Sequence, residues 1–291
     1  MNKYCGVVVF YNPEDNVVEN IDTYINDLER LYVVDNSNQN NKGLIDRIKS
    51  SHKISYIHLR ENKGLAYALN VGCRKAVEEG FDYCLTMDQD SKFEIGSVKL
   101  MKDFIEQNNK DYAIIAPNVK SVYIDNILNE ELEAYTVLNE NESNRETNWV
   151  MTSGSLMSLK DFSAVDGFDN DLFIAHIDID IGVKFAAINK KIIQLKDALI
   201  YQRFGNSIPK KILWKTVHPS FAEPVRTYYL FRNQVYLERK YTKKIKPFMG
   251  VSLYKFVVKI LLFEPKKIMK IKLGIRGMND AKKGKMGQFI N

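Results

Sequence analysis

The chain has 291 residues, enough to bury a full core as one large domain or as one domain with an appendage. Apolar residues make up 45% and charged residues 27%, the balance of a water-soluble globular protein, which excludes a disordered chain. The absence of any run of about 18 apolar residues excludes a membrane-spanning helix.

The net charge of +6 conceals an asymmetry. Residues 239–291 hold 15 Lys and Arg against 2 Asp and Glu, a net +13, whereas residues 1–238 hold 27 against 34, a net −7. The basic excess therefore belongs to the tail, which argues against a nucleic-acid-binding core and for a tail that meets something anionic. Cys5, Cys73 and Cys84 are widely scattered. Cys5 and Cys84 lie in strand-like runs and read as small buried hydrophobes of a reducing compartment, and no Cys/His cluster has zinc spacing. The start of the chain runs straight into a strand, so no secretory leader is expected.

Taken in order, residues 6–11 form an apolar strand that stops at Asn12-Pro13, and Pro13 followed by Glu14 and Asp15 suits a helix start. Val17, Ile21, Tyr24, Ile25 and Leu28 then recur at helical spacing. Residues 31–34 make a second strand ending in the turn-rich Asp35-Asn36-Ser37-Asn38, and residues 54–59 a third. Leu65, Ala68, Leu69, Gly72 and Ala76 mark a tightly packed helix. Residues 83–87 are the fourth strand and 112–116, before Pro117, the fifth. This β-α-β order predicts a largely parallel sheet covered on both faces.

Residues 125–148, rich in acids and asparagines, read as a mobile surface excursion or lid. A strand over 149–156 is expected next, then a helix to about Asn189 and strands near 192–195 and 198–201. A long helical pattern runs from Pro219 through Leu237.

The stretch that organises the chain is Tyr83-Cys84-Leu85-Thr86-Met87-Asp88-Gln89-Asp90-Ser91. If the strand continues to Asp88, residues 88 and 90 project to one side. Two carboxylates there can hold a hard divalent cation, which can hold phosphates, and open α/β sheets bind ligands at that edge. An isolated Asp-x-Asp is otherwise an acidic surface turn.

Other motifs accompany it in order: Val9-Phe10-Tyr11-Asn12-Pro13, Val34-Asp35-Asn36-Ser37, Asn62-Lys63-Gly64-Leu65-Ala66 with Asn70, Ser153-Gly154-Ser155, Gly167-Phe168-Asp169 and Asp178-Ile179-Asp180. Each is weak alone. Together, over roughly residues 4–240, they resemble an inverting glycosyltransferase of the second sequence family. That resemblance implies the GT-A fold, a Rossmann-like, mostly parallel α/β sheet flanked by helices. The Asp-Gln-Asp-Ser form and the late Tyr228-Tyr229-Leu230-Phe231-Arg232-Asn233 resemble the bacterial rhamnosyltransferase branch.

The resemblance implies a catalytic domain over 1–240, with a nucleotide-binding half to about 117 and an acceptor-binding half from about 149. A basic, amphipathic, helical extension covers 241–291. It also implies roles. Phe10, Tyr11 and Asn12 border the nucleobase, and Asp35 accepts a hydrogen bond from the pyrimidine imide; Asp35 also suits an Asx turn. Asn62 and Gly64 open a helix whose amino end favours a diphosphate. Asp88 lies near the ribose and beside the metal, and Asp90 ligates Mg2+ or Mn2+. Asp178 is the base that takes the acceptor's proton, with His176 a contact or alternative base. Ser153, Gly154, Asp180 and Arg232 complete the acceptor side, although Asp180 also suits a helix-start role.

Three departures bear on these roles. Ile177 stands where the pattern often has Glu, Lys184 where it often has Arg, and Gln202-Arg203-Phe204-Gly205 where relatives carry a metal-binding His. Glutamine is a weak substitute for imidazole, and Arg203 could neutralise the diphosphate directly. Beyond residue 240, lysines alternate with aromatic and aliphatic residues, as in Tyr254-Lys255-Phe256-Val257-Val258-Lys259, which suits an anionic bilayer or a solvated helix face.

The reading is a dTDP-rhamnose-dependent transferase acting on a saccharide or lipid-linked saccharide in bacterial surface-polysaccharide synthesis, in the cytoplasm at the inner membrane face, with no nucleic-acid partner. The alternatives are a UDP-hexose donor, or a catalytically silent nucleotide-sugar-binding or membrane scaffold protein.

Overall fold

A computed structural model describes residues 2–108, 111–125, 130–203, 210–212, 215–217, 223–248 and 253–290. At its centre, β1 (Tyr4–Phe10) sends Cys5, Val7 and Val9 to one buried face and Tyr4, Val8 and Phe10 to the other. A strand covered on both sides loses polar alternation, so its sequence is one apolar run. β2 (Arg30–Asp35) pairs parallel with β1, and β3 (Ile54–His58) pairs parallel with β2. β4 (Tyr83–Asp88) pairs parallel with β1 on its other side, so the strand does continue to Asp88.

Beyond β4 the spine continues through strands that sequence periodicity placed only in part. β5 (Lys92–Phe93) is short, and β6 (Tyr112–Asp125) is far longer than its expected five residues. It passes through Pro117, where its partner's register jumps from Gln194 opposite Ala116 to Leu199 opposite Asn118. Proline lacks the ladder N–H, and the irregularity accommodates it. Gln194 donates instead to the Pro117 carbonyl across 3.1 Å.

The expected mobile excursion contains two strands. β7 (Glu130–Thr136) returns antiparallel along β6, and β8 (Arg145–Thr147) pairs antiparallel with β10 (Lys191–Arg203). The two strands expected near 192–201 are this single β10, broken at the same irregularity. β9 (Ser155–Ser158), shorter than expected, runs antiparallel between β4 and β6. The spine order is β3-β2-β1-β4-β9-β6-β10-β5. Six of these strands run one way and only β9 and β5 oppose them. The carboxyl ends of β1, β2, β4 and β10 therefore share one edge. A small hairpin, β11 (Lys210–Ile212) with β12 (Lys215–Val217), stands apart.

Helices cover both faces. α1 (Val17–Asp22), α2 (Lys42–Lys49) and, later in the chain, the helix Ser97–Gln107 bury Val17, Ile21, Leu44, Ile48, Val98 and Met101 on one side. α3 (Leu65–Glu78) lies on the other with its small face, Ala68, Leu69, Gly72 and Ala76, inward as the spacing predicted. With Ser97–Gln107 as α4, α5 (Leu159–Ala164) and α6 (Ile177–Ala187) complete that second layer. The three cysteines, far apart in sequence, converge there: Cys73 and Cys84 sulfurs are 4.0 Å apart, all three thiols are free and buried, and burial pushes the Cys84 thiol up.

The C-terminal helices are α7 (Pro224–Tyr241), α8 (Leu253–Phe263) and α9 (Lys267–Lys282). Pro219, the expected start of α7, lies outside the described residues. Ile245 and Phe248 join the main core, and α9 runs against α7. The described part of the basic segment thus packs against the rest of the fold. Among the described residues no helix is long and apolar enough to cross a membrane.

Candidate active site

Asp88 ends β4, half-buried, and Asp90 stands on the exposed rim beyond it. Gln89 between them turns the opposite way. Its side chain pairs with the main chain of Tyr11, accepting from the N–H at 2.8 Å and donating to the carbonyl at 3.2 Å. This clip fixes the β1 end against the β4 end. From behind, Ser153 Oγ accepts the Asp88 N–H at 3.1 Å and lies 3.0 Å from Ser91 Oγ.

Gln202, near the end of β10, donates its side-chain amide to Asp88 Oδ2 at 3.0 Å, while its own carbonyl oxygen is buried without a partner among the described residues. Burial pushes the Asp88 carboxyl up to about 6, helped by the charges of Asp90 and Asp178; Gln202 and Arg226 pull the other way. Asp90 is also pushed up by the protein around it, with Arg203 and Arg226 opposing. Arg226, in the first turn of α7, is thus felt by both carboxylates, a role its sequence position gave no sign of.

The oxygen set fits a hard divalent cation. Two carboxylates stand at the carboxyl edge of the sheet with the Gln202 amide on one of them, and Mg2+ or Mn2+ commonly takes one or two carboxylates and completes its shell with phosphate and water. Among the described residues no group of three or more His, Cys, Asp and Glu could hold a metal alone.

Several expected contacts are turned inward. Asp35 is 1% exposed, with Oδ1 accepting from Ser37 N–H at 3.0 Å and Oδ2 from the Tyr56 hydroxyl at 2.6 Å. It forms an Asx turn, and each of its oxygens already accepts one hydrogen bond from the protein. Phe10 is core; of the three residues expected at the nucleobase, only Tyr11, 50% exposed, and Asn12 face outward. Ser153 and Gly154 are buried behind the β4 end and not on the cleft wall. Asn62 Oδ1 accepts from Asn36 and from the Gly64 N–H, both at 3.0 Å, and Lys63 N–H donates to Asn36 Oδ1 at 2.8 Å.

Gly64 is needed for a reason other than phosphate. Its φ is +91°, and an added Cβ would lie 2.7 Å from the Phe173 carbonyl oxygen. That same oxygen accepts the Leu65 N–H at 2.6 Å and the Ala66 N–H at 3.4 Å. The amino end of α3 is therefore capped by the loop before α6. The expected diphosphate contact at this helix end is filled by protein.

On the acceptor side, Asp178 is half-buried at the start of α6, with Oδ1 accepting its neighbour Ile179 N–H at 3.0 Å. Burial raises its carboxyl to about 6, and its charge reaches Asp88. Among the described residues the buried His176 Nδ1 has no partner, and burial lowers the imidazole to about 4. Asp180 does not reach the cleft. It is 0% exposed, with Oδ1 accepting from Lys240 at 2.9 Å and Tyr241 at 2.6 Å, and Lys184 3.2 Å from Oδ2. Arg232 is also 0% exposed and bonds the carbonyls of Asp171, Leu172 and Gly287, so it is a buried anchor and not an acceptor contact.

Sequence reasoning missed Gln89 as a clip, Arg226 as a source of charge, and Asn233 as a clamp, although Gln89 and Asn233 lie inside motifs already singled out. Phe204 and Gly205 lie outside the described residues.

The family model for glycosyl transferase family 2 matches residues 5–165. The dTDP-rhamnosyl transferase RfbF of Shigella flexneri is 28% identical over 241 residues, spanning 81% of this chain and 79% of that protein. Among solved structures, S. aureus TarS 1-349 in complex with UDP-GlcNAc superposes with a TM-score of 0.57 at 16% identity, covering 97% of this chain and 73% of that one. GalNAc-T7 with UDP, GalNAc and Mn2+ gives 0.57 at 10% identity, covering 97% and 56%. At such identities these likenesses speak to the fold alone, which is of the GT-A type.

Proposed function

The chain belongs to glycosyl transferase family 2 and is a nucleotide-sugar-dependent glycosyltransferase, and from that premise we propose that it moves L-rhamnose from dTDP-rhamnose, with inversion, onto a saccharide or lipid-linked saccharide. The observation that carries this reading is the pairing of Asp88 and Asp90 at the carboxyl edge with Asp178 near enough for its charge to reach Asp88. Donor identity draws support from the relative named for dTDP-rhamnose, and the acceptor class from the basic C-terminal helices.

In this reading Asp90 and Asp88 would hold the Mg2+ or Mn2+ ion, and Gln202 keeps Asp88 oriented. When bound, the ion neutralises charge on the departing diphosphate. Arg203 and Arg226 add positive charge at the same rim. The acceptor oxygen bonds to the anomeric carbon as the carbon–phosphate oxygen bond breaks, and dTDP leaves with the electron pair. The hydroxyl proton passes to Asp178. A carboxylate whose protonation is balanced near 6 suits proton acceptance at neutral pH better than an imidazole held near 4, so Asp178 is preferred to His176.

The tail completes the reading. Around the α8–α9 turn, Leu261, Leu262, Ile268 and Met269 are exposed beside Lys266, Lys267 and Lys272. Glu264, the acid within that turn, is folded inward on Lys270 at 2.5 Å; Lys266 meets Glu223 at 3.4 Å, which leaves Lys267 and Lys272 as the exposed cations. Apolar groups flanked by lysines suit the anionic inner face of a membrane, where a lipid-linked acceptor resides.

The test is thermal stabilisation by a panel of nucleotide sugars with and without Mn2+. dTDP-rhamnose at ~100 times its Kd should add ~2.7 kcal/mol, on the order of 5–10 °C, with Mn2+ enlarging the effect. A larger shift with UDP-hexoses would reassign the donor, and no shift with any would sink the reading.

A further inference from the structure

The loop between Phe168 and α6 is held with unusual completeness. Every main-chain carbonyl from residue 168 to 176 has a partner. Asn233, fully buried on α7, donates its side-chain amide to three of them, Leu172 at 2.9 Å, Ile174 at 2.8 Å and Ala175 at 2.9 Å. Arg232 beside it takes Asp171 at 3.0 Å and Leu172 at 2.9 Å. The loop needs such restraint. Phe173, Ala175 and His176 have φ of 62°, 68° and 60°, left-handed values that side chains other than glycine disfavour. Strained backbone of this kind persists only where its surroundings over-determine it.

Part of that restraint comes from the far end of the chain. Gly287 donates its N–H to Asp171 O at 3.0 Å and receives Arg232 on its own carbonyl at 2.5 Å. Phe289 N–H donates to the Tyr229 hydroxyl at 2.7 Å, and its ring packs edge-on against Tyr228 at 4.7 Å. Tyr229 in turn stacks on Phe173, 5.2 Å between ring centres. The return path is set by α9, which lies so close to α7 that a Cβ on Gly277 would fall 2.4 Å from the Tyr228 carbonyl oxygen.

We propose that Arg232, Asn233 and the chain end, residues 287–289, are positioning residues of the acceptor side: they latch the 168–176 loop and thereby fix the first turn of α6, where Asp178 sits. The proposal rests on the reading of Asp178 as proton acceptor. These contacts converge on one strained loop two residues before the carboxylate, and the loop's Phe173 carbonyl also caps α3. The chain end thus contributes to the site without touching a substrate.

The test compares the full chain with a deletion of residues 286–291 and with Phe289→Ala, which keeps the main chain. Release of dTDP from dTDP-rhamnose to water is followed against pH. The deletion should lower kcat tenfold or more, leave the donor Kd within twofold, and move the acidic limb of the pH profile down from about 6 as Asp178 becomes hydrated. In an Asp178→Asn background it should cost less than a further twofold. For Phe289→Ala, hydrogen exchange at the Leu65 and Ala66 amides, both bonded to Phe173, should accelerate. Wild-type kcat and pH profile in the deletion, with Asp178→Asn impaired, would overturn the latch alone, whereas Asp178→Asn at the wild-type rate would overturn the base. If the deletion does not fold, unchanged exchange in Phe289→Ala overturns the latch.

Discussion

Gln202 donates its side-chain amide to Asp88 across 3.0 Å, and its own carbonyl oxygen is buried without a partner among the described residues. This glutamine occupies the place of an expected histidine, and it brings an amide donor that holds Asp88 and a carbonyl oxygen that a bound cation would compete for. Gln202→Leu keeps the bulk but loses both. Outer-shell partners of a metal site are typically worth ~10–100-fold in affinity. Titration calorimetry of dTDP with and without Mn2+ should show that the Mn2+-dependent gain in affinity falls by a factor in that range. An undiminished gain would mean Gln202 has no part in metal-assisted binding.

Asp178 gives the pH dependence its sign. Its carboxyl lies near 6, so it is protonated and unable to accept a proton below that value and ionised above it. At saturating Mn2+, where a bound ion would keep Asp88 ionised although burial sets it near 6 as well, turnover should therefore fall about tenfold per pH unit below 6 and level off above it. Asp178→Asn should keep donor binding, lower turnover by ~10²–10⁴-fold and erase the limb. A loss under about tenfold would pass the role to His176. His176 is held near 4, however, and would put the limb two units lower.

Arg232 separates two roles cleanly. An acceptor contact would raise KM when removed and leave the fold alone. A fully buried guanidinium bonded to three main-chain carbonyls should instead cost stability, because those carbonyls would be left unsatisfied. Arg232→Ala is expected to lose about 3 kcal/mol or more by urea denaturation. A stable variant with only a raised KM would restore the acceptor role.

The membrane surface is best tested without truncation, since α9 is part of the packed fold and its deletion would unfold the chain. Lys266 and Lys267 are exposed at the α8–α9 turn, and each lysine near an anionic surface contributes about 1 kcal/mol. The pair Lys266→Glu and Lys267→Glu should weaken binding to phosphatidylserine-containing vesicles by roughly tenfold or more, with wild-type binding falling as salt rises. Equal sedimentation of both proteins with vesicles would contradict the surface assignment.

The sequence disclosed the elements whose physics is local. β1, β2 and β4 are short apolar runs stopped by polar residues, and α3 carries a small-residue face that only close packing explains. The Asp88–Asp90 edge followed from strand periodicity plus the known tendency of such sheets to bind at that edge. What stayed hidden was set by partners distant in sequence. Pro117 ordinarily ends a strand, and only the irregularity between Gln194 and Leu199 on a neighbouring strand lets β6 pass through it. Asp35, Asp180 and Arg232 are polar residues in motifs, and nothing local distinguishes a polar group facing a cleft from one paired inward. Tyr56, Lys240 and the Leu172 carbonyl decide that, and each lies 21 to 60 residues away. The charged tail was legible as composition, but its return to the acceptor loop through Gly287 was not.

The central claim is that Asp88 and Asp90 hold the leaving diphosphate of a nucleotide sugar. Its most direct test is dTDP release from dTDP-rhamnose by wild type and Asp90→Ala, both shown to be folded, at saturating Mn2+. Wild type should release dTDP at a rate that EDTA suppresses, while Asp90→Ala should show no turnover above background and weakened dTDP binding in the presence of metal. Release by Asp90→Ala at the wild-type rate would contradict the account.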